Sequence, residues 1–174
     1  MGKIQSLQPV KLISGFIFKD ELIYKKTKGI LERQYGSIDF ESQAIDFIHT
    51  DFYKSEIGTN LKRKFISFKK LIPPNHLSSV KTFANKIEKK FSSNNKRAVN
   101  IDPGYLDLSK MVLATTKDFT HRIYLDKGIF AEVTLFFQGK SYKCWPWTYP
   151  DYQTPEHIAI FNIIRELFRQ QLTR

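Results

Sequence analysis

Cysteine is almost absent: Cys144 is the only one in 174 residues. A lone cysteine excludes a disulfide framework and any cysteine-based zinc site, and it fits a reducing, cytoplasmic setting. Long apolar runs are missing too. None approaches the roughly 18 residues that a membrane-spanning helix needs. No signal peptide is expected, because Lys3 and Lys11 bracket no long apolar stretch, so a membrane is not an expected partner. The opening Met1–Ser6 fits the myristoylation pattern, but the pattern is short and one acyl chain anchors only marginally. Internal repeats and low-complexity linkers are also lacking. What remains is a chain 41% hydrophobic, 14% aromatic and 26% charged, the composition of a folded globular protein, which its element order makes one α+β domain over residues 1–174.

Acidic residues are scarce in one place only. The net charge is +11, and residues 54–97 carry 12 Lys/Arg against Glu56 and Glu88 alone. The segments before and after it are nearly neutral. A concentrated positive field attracts phosphate-bearing partners; a solvated lysine-rich surface is the plainer reading. If the segment reads nucleic acid, RNA first, then Lys62, Arg63, Lys64, Lys69, Lys70, Lys89 and Lys90 share one face, with Trp145 and Trp147 available to stack on bases.

Periodicity predicts the elements. Lys11 to Phe18 reads as a buried strand. Asp20 caps a helix that Gly36 ends. Ile38 to Phe47 is β-like, Lys62 to Leu71 is a strand stopped by Pro73-Pro74, Leu77 to Phe91 is a helix, and Ala98 to Ile101 begins another strand. That order, βαββαβ, predicts a ferredoxin-like core over residues 1–101, with two helices on one face of an antiparallel sheet. Residues 102–174 are predicted as a β-rich extension: a strand over Lys110 to Thr116, a hairpin around Asp126-Lys127-Gly128, and a terminal helix capped by Thr154 and opened by Pro155. Asp102-Pro103-Gly104 reads as a turn at a strand end. Pairing Leu125 with Ile129 places Arg122 opposite Glu132, Tyr124 opposite Phe130 and Thr120 opposite Thr134 on one face, with His121 on the other.

The polar run Thr115-Thr116-Lys117-Asp118-Phe119-Thr120-His121-Arg122 holds hydroxyls, cations, a carboxylate and an imidazole within eight residues. Those groups suit a phosphate and a Mg²⁺ ion. The candidate catalytic residues are His121 as acid/base, Asp102 and Glu132. Asn60, Arg63, Lys110, Thr115, Lys117, Arg122 and Tyr124 are candidate ligand contacts, and Asp102, Asp118 and Glu132 are candidate Mg²⁺ ligands. An ordinary polar loop and a cross-strand Arg122–Glu132 pair are the bland alternatives. His49-Thr50-Asp51 is a weaker carboxylate–imidazole pair; His76 and His157 sit near helix starts and read as structural. Gly139-Lys140-Ser141 ends like a P-loop, but Thr134 stands where the pattern needs glycine, and β-like segments flank it. The aromatic, proline-kinked run from Tyr142 to Tyr152 reads as a loop pinned over the core or as a stacking surface.

The runs NIDPGYLDLSKMVLATTKDFTHRIYL, GIFAEVTL and PWTYPDY, with the earlier GTNLKRKFISFKKLI and PVKLISGFIF, resemble an uncharacterised bacterial family labelled domain of unknown function 4416. The resemblance covers almost the whole chain. It implies a bacterial intracellular protein and supplies no catalytic residue; some relatives carry a GTP-binding label, although the P-loop that would justify it is missing here. The expectation is therefore a phosphate-bearing ligand, nucleotide or metabolite, with RNA binding or a non-catalytic interaction role as the alternatives.

Overall fold

The computed structural model describes residues 2–3, 6–48, 53–54, 56–94 and 96–173. The His49-Thr50-Asp51 pair and part of the Met1–Ser6 opening lie outside the described residues. One antiparallel sheet organises the chain, in the strand order β2-β4-β1-β5-β6-β8-β7, with β3 paired to β4 and β9 to β8. The strands are β1 Lys11–Phe18, β2 Ile38–Glu41, β3 Ile45–Asp46, β4 Lys62–Phe68, β5 Val99–Leu106, β6 Lys110–Thr115, β7 Arg122–Asp126, β8 Ile129–Gln138 and β9 Ser141–Cys144. Helices α1 Glu21–Tyr35 and α2 Leu77–Lys90 pack on one face, and α3 Pro155–Leu172 on the other.

Strand β1 has helices on both sides. Its apolar run KLISGFIF is buried throughout, as a strand covered on both faces requires. Leu12, Phe16 and Phe18 join Tyr24, Leu31, Val80, Ala84 and Ile87 under α1 and α2. Ile13 joins Phe65, Leu106, Phe161 and Ile164 under α3. Lys11, also on the α3 side, buries its stem and bonds Asp39 and Gln171. The capping chemistry is as expected: Asp20 Oδ1 accepts from the Leu22 N–H at 2.7 Å, and Thr154 Oγ1 accepts from the His157 N–H at 3.2 Å.

Three expectations need correction. The sheet has nine strands, more than a four-stranded core with one added hairpin, and the second half continues the same sheet. β5 runs through residues 101 and 102, and β6, β8 and β7 continue from its free edge. The connection is a tight turn in which Asp107 Oδ1 accepts from the Ser109 and Lys110 N–H groups. Second, Asp102-Pro103-Gly104 is not a turn but extended strand, paired with Gly15, Ser14 and Ile13. Pairing with β6 stops at Gly104, so a missing N–H at Pro103 on that side breaks no ladder bond. Gly104 is required by proximity: a Cβ there would lie 2.4 Å from the Val112 carbonyl oxygen and 2.7 Å from Leu113 Cδ2.

Third, the β7–β8 hairpin keeps the expected Arg122–Glu132 and Tyr124–Phe130 pairs but shifts at Leu125, so that Asp126 pairs with Ile129. The loop is then two residues, Lys127 and Gly128, both at positive φ, as a type I′ turn demands. Thr120 precedes the strand and does not pair with Thr134.

Gly104→Ala is expected to destabilise the fold by about 1–3 kcal/mol, the usual cost of overpacking. Urea unfolding followed by circular dichroism measures it; an unchanged midpoint contradicts the close approach of β5 and β6.

Candidate functional site

Alternation puts Arg63, Gly15, Asn100 and Asp102 on the α3 face of the sheet, because Arg63 pairs with Ile17, and Ile17 with Asn100. Two strands farther on, Gly104 pairs with Leu113 and Leu113 with Glu132, so Glu132 lies on the same face. On an ideal sheet about 12 Å separates Asp102 from Glu132. Residues 145–153 connect the two.

The first cluster centres on Arg63, one of the largest fully buried side chains. Its Nη1 donates to Asp102 Oδ2 at 3.0 Å and its Nη2 to the Tyr152 hydroxyl at 2.5 Å, with Asp151 Oδ2 at 3.4 Å. The guanidinium also lies 4.8 Å from the Phe65 ring centroid and 5.0 Å from that of Tyr152. Nε has no partner among the described residues. A Cβ at Gly15 would stand 3.0 Å from Nη2, so glycine leaves the room that the guanidinium occupies. Burial raises the Asp102 pKa, but the charges of Arg63 and Lys81 and the Arg63 hydrogen bond outweigh burial and hold the carboxyl below its usual range. Tyr152 is pushed well up, chiefly by burial.

The second cluster centres on Glu132, 2% exposed. Glu132 Oε2 accepts from Arg122 Nε at 2.9 Å and lies 3.1 Å from His121 Nε2, while Thr134 Oγ1 donates to Oε1 at 3.3 Å. Arg122 further donates to the Lys117 carbonyl at 3.0 Å and to the Tyr149 hydroxyl at 2.8 Å. His121 was expected on the opposite face from Arg122. It precedes the first residue of β7, so strand alternation does not bind it, and it turns to the same carboxylate.

The residue 145–153 loop roofs both clusters. Trp147 stacks on His121 with ring centroids 5.1 Å apart, and on Trp145 at 5.1 Å; Trp145 packs on Phe136 at 4.4 Å. The loop is fastened by Thr148 Oγ1 donating to the Thr134 carbonyl at 2.6 Å and Trp147 Nε1 to the Val133 carbonyl at 3.3 Å. At its end the Asp151 carbonyl meets the His157 Nδ1.

The structure thus gathers His121, Arg122, Glu132 and the backbone of Lys117, and separately Arg63 with Asp102. Tyr124 stands exposed farther along β7, and Thr115 lies across β8 from it, its hydroxyl accepting from the Lys117 N–H. Lys110 is at the far end of β6, paired with Asp107, and Asn60 sits in the turn before β4 at positive φ, so neither joins the cluster. Asp102, Asp118 and Glu132 do not converge: among the described residues no three His, Cys, Asp or Glu side chains could hold a metal ion together. Two surface cavities of about 370 and 500 Å³ include none of Arg63, Asp102, His121, Arg122 and Glu132; Lys110 and Asp107 line the larger.

The basic segment does not form one face. Arg63 is buried on the α3 side, whereas Lys64 faces α1 and pairs with Glu21 and Glu41. Lys62 pairs with Asp46. Lys89 and Lys90 end α2, near the Lys62 end of the sheet; Lys69 and Lys70 follow β4 at its other end. Sequence reasoning missed Asp151, whose role depends on a contact with Arg63, 88 positions earlier, that no local pattern announces.

A family model described as Domain of unknown function (DUF4416) matches residues 8–168. The chain belongs to this family. No curated protein matches it, and no solved structure does. Among the described residues, no helix of this DUF4416 protein is long and apolar enough to cross a membrane.

Asp102→Asn tests the first cluster. The carboxyl's folded pKa lies below its unfolded value of about 3.9, so its stabilisation is fully present above that pH and is lost as pH falls through the folded value. The variant is expected to be less stable by about 1–3 kcal/mol at neutral pH, with the gap closing below about pH 4. Denaturant midpoints of both proteins across pH check it; a gap that is constant down to low pH contradicts it.

Proposed function

We propose that this protein binds a phosphate-bearing small molecule with a flat ring, a nucleotide or phosphorylated metabolite, at the His121–Arg122–Glu132 cluster under Trp147. One observation carries the reading: a single buried carboxylate holds both an imidazole and a guanidinium beside a stacked indole. Glu132 at His121 Nε2 favours a proton on that nitrogen and leaves Nδ1 to meet a ligand as acceptor. Phe119, Trp147 and Tyr149 expose aromatic surface around the imidazole, which suits a base or other ring.

Glu132 is already engaged by His121, Arg122 and Thr134, so a Mg²⁺ ion would arrive on the ligand's phosphates, with the exposed Asp118 proposed as the carboxylate that helps hold it. The fold reading that accompanies this is a ferredoxin-like βαββαβ core. It is supported by the β2-β4-β1-β5 order with α1 and α2 on one face, extended by β6, β8 and β7. The setting is read as cytoplasmic from the lone cysteine.

Isothermal titration with GTP and ATP, with and without Mg²⁺, tests the function. Binding to the wild type, weakened tenfold or more in His121→Ala with folding intact, is the expected result. Binding of single-stranded RNA that falls steeply with salt and is unchanged in His121→Ala, with no nucleotide binding, overturns the proposal in favour of a backbone-reading module.

A further inference from the structure

We infer that the cleft between the end of α1, the first turns of α2 and the tip of the β7–β8 hairpin is a second anion site, one that takes a small aryl or heterocyclic phosphate ester. It lies on the α1/α2 side of the sheet, away from His121, and holds about 370 Å³, within the ordinary range for a ligand site. Every titratable group of fixed sign in its lining is basic: Lys86 and Lys127, with His76 beside them. No carboxylate lines it. Lys86 and His76 make no ion pair among the described residues, and the one ion pair of Lys127 among them is with the exposed Asp126 at 3.6 Å. The Ser79 hydroxyl completes the polar wall, beside Thr82, whose own hydroxyl donates to the Ser78 carbonyl at 2.9 Å, and Tyr35 and Phe83 form an aromatic wall, their rings 5.9 Å apart and edge to face. Burial pushes the Tyr35 hydroxyl up to about 12, so it stays a neutral donor beside an anion.

The hairpin tip adds a second, independent observation. Lys127 occupies the first central position of the two-residue turn at φ 54°, where asparagine, aspartate or glycine is the usual occupant. A lysine there carries a backbone cost that its side chain must justify. That side chain crosses to α2 and reaches Ser79 Oγ at 3.4 Å. It thereby lines the cleft together with Lys86. Two lysines, the Ser79 hydroxyl and an apolar aromatic wall are the chemistry of a phosphate attached to a ring.

The test is an amide-resolved NMR titration with inorganic phosphate and with phenyl phosphate, against chloride at matched ionic strength. The wild type and Lys86→Gln/Lys127→Gln are compared; both lysines are exposed, so the variant folds. Expected are saturable shifts at Ser79, Thr82 and Lys127, tighter for phenyl phosphate, and at least tenfold weaker binding in the variant. Absence of saturation in the cleft, or equal affinity in the variant, overturns the site, and equal affinity for the two probes overturns its ring preference. Signals of His121, Arg122 and Trp147 report the other site separately in the same spectra, so either reading can fail alone.

Discussion

The buried guanidinium of Arg63 is the contact on which the α3 side of this molecule depends. A guanidinium without water is costly unless its donors are met and its charge is balanced. Asp102 on β5 and Asp151 with Tyr152 in the covering loop meet that need from two directions. The same contacts therefore fix where residues 150–153 sit over the sheet. Because α3 begins at Pro155, they also fix where the helix starts. Phe65, beside Arg63 on β4, packs its ring against Tyr152, His157 and Phe161. Polar and apolar contacts thus seat the same turn.

Placement of that turn sets the rest of the loop. Tyr149 and Trp147 stand only a few residues before Asp151, and they reach Arg122 and His121 respectively. Glu132 meets them from below, on a strand whose position follows from the close approach of β6 to Gly104. The two ionic clusters are consequently parts of one assembly roofed by one loop. A buried carboxylate that serves both an imidazole and a guanidinium gives the imidazole one orientation, and the stacked indoles restrict it further. Preorganisation of that kind would lower the cost of the proposed binding, because the groups need not be ordered on association.

Much of this was legible in the sequence where it depends on local pattern. The all-buried β1, the caps at Asp20 and Thr154, and the Arg122–Glu132 and Tyr124–Phe130 pairs follow from periodicity and turn chemistry. Local reasoning failed where distant chain decided the outcome. Asp102-Pro103-Gly104 has the composition of a turn, yet β1 holds it extended and β6 needs the glycine. His121 reads as a strand residue, yet it lies one position before the strand and answers to Glu132 instead. The basic segment looks like one patch in sequence, but strand alternation sends Arg63 and Lys64 to opposite faces and the β4-to-α2 connection carries Lys69 and Lys70 to the other end.

The most direct test of the account is an NMR comparison of the wild type with Arg63→Lys, observing the Trp147 indole N–H and the His121 ring. Lysine keeps the charge but loses the forked donor geometry that spans Asp102, Asp151 and Tyr152. The account predicts that the Trp147 and His121 signals shift or broaden together, while those of Phe16 and Tyr24 under α1 and α2 stay in place. Trp147 and His121 signals that do not move, in a variant whose Tyr152 signal does, would contradict it, because the aromatic roof would then stand without the guanidinium.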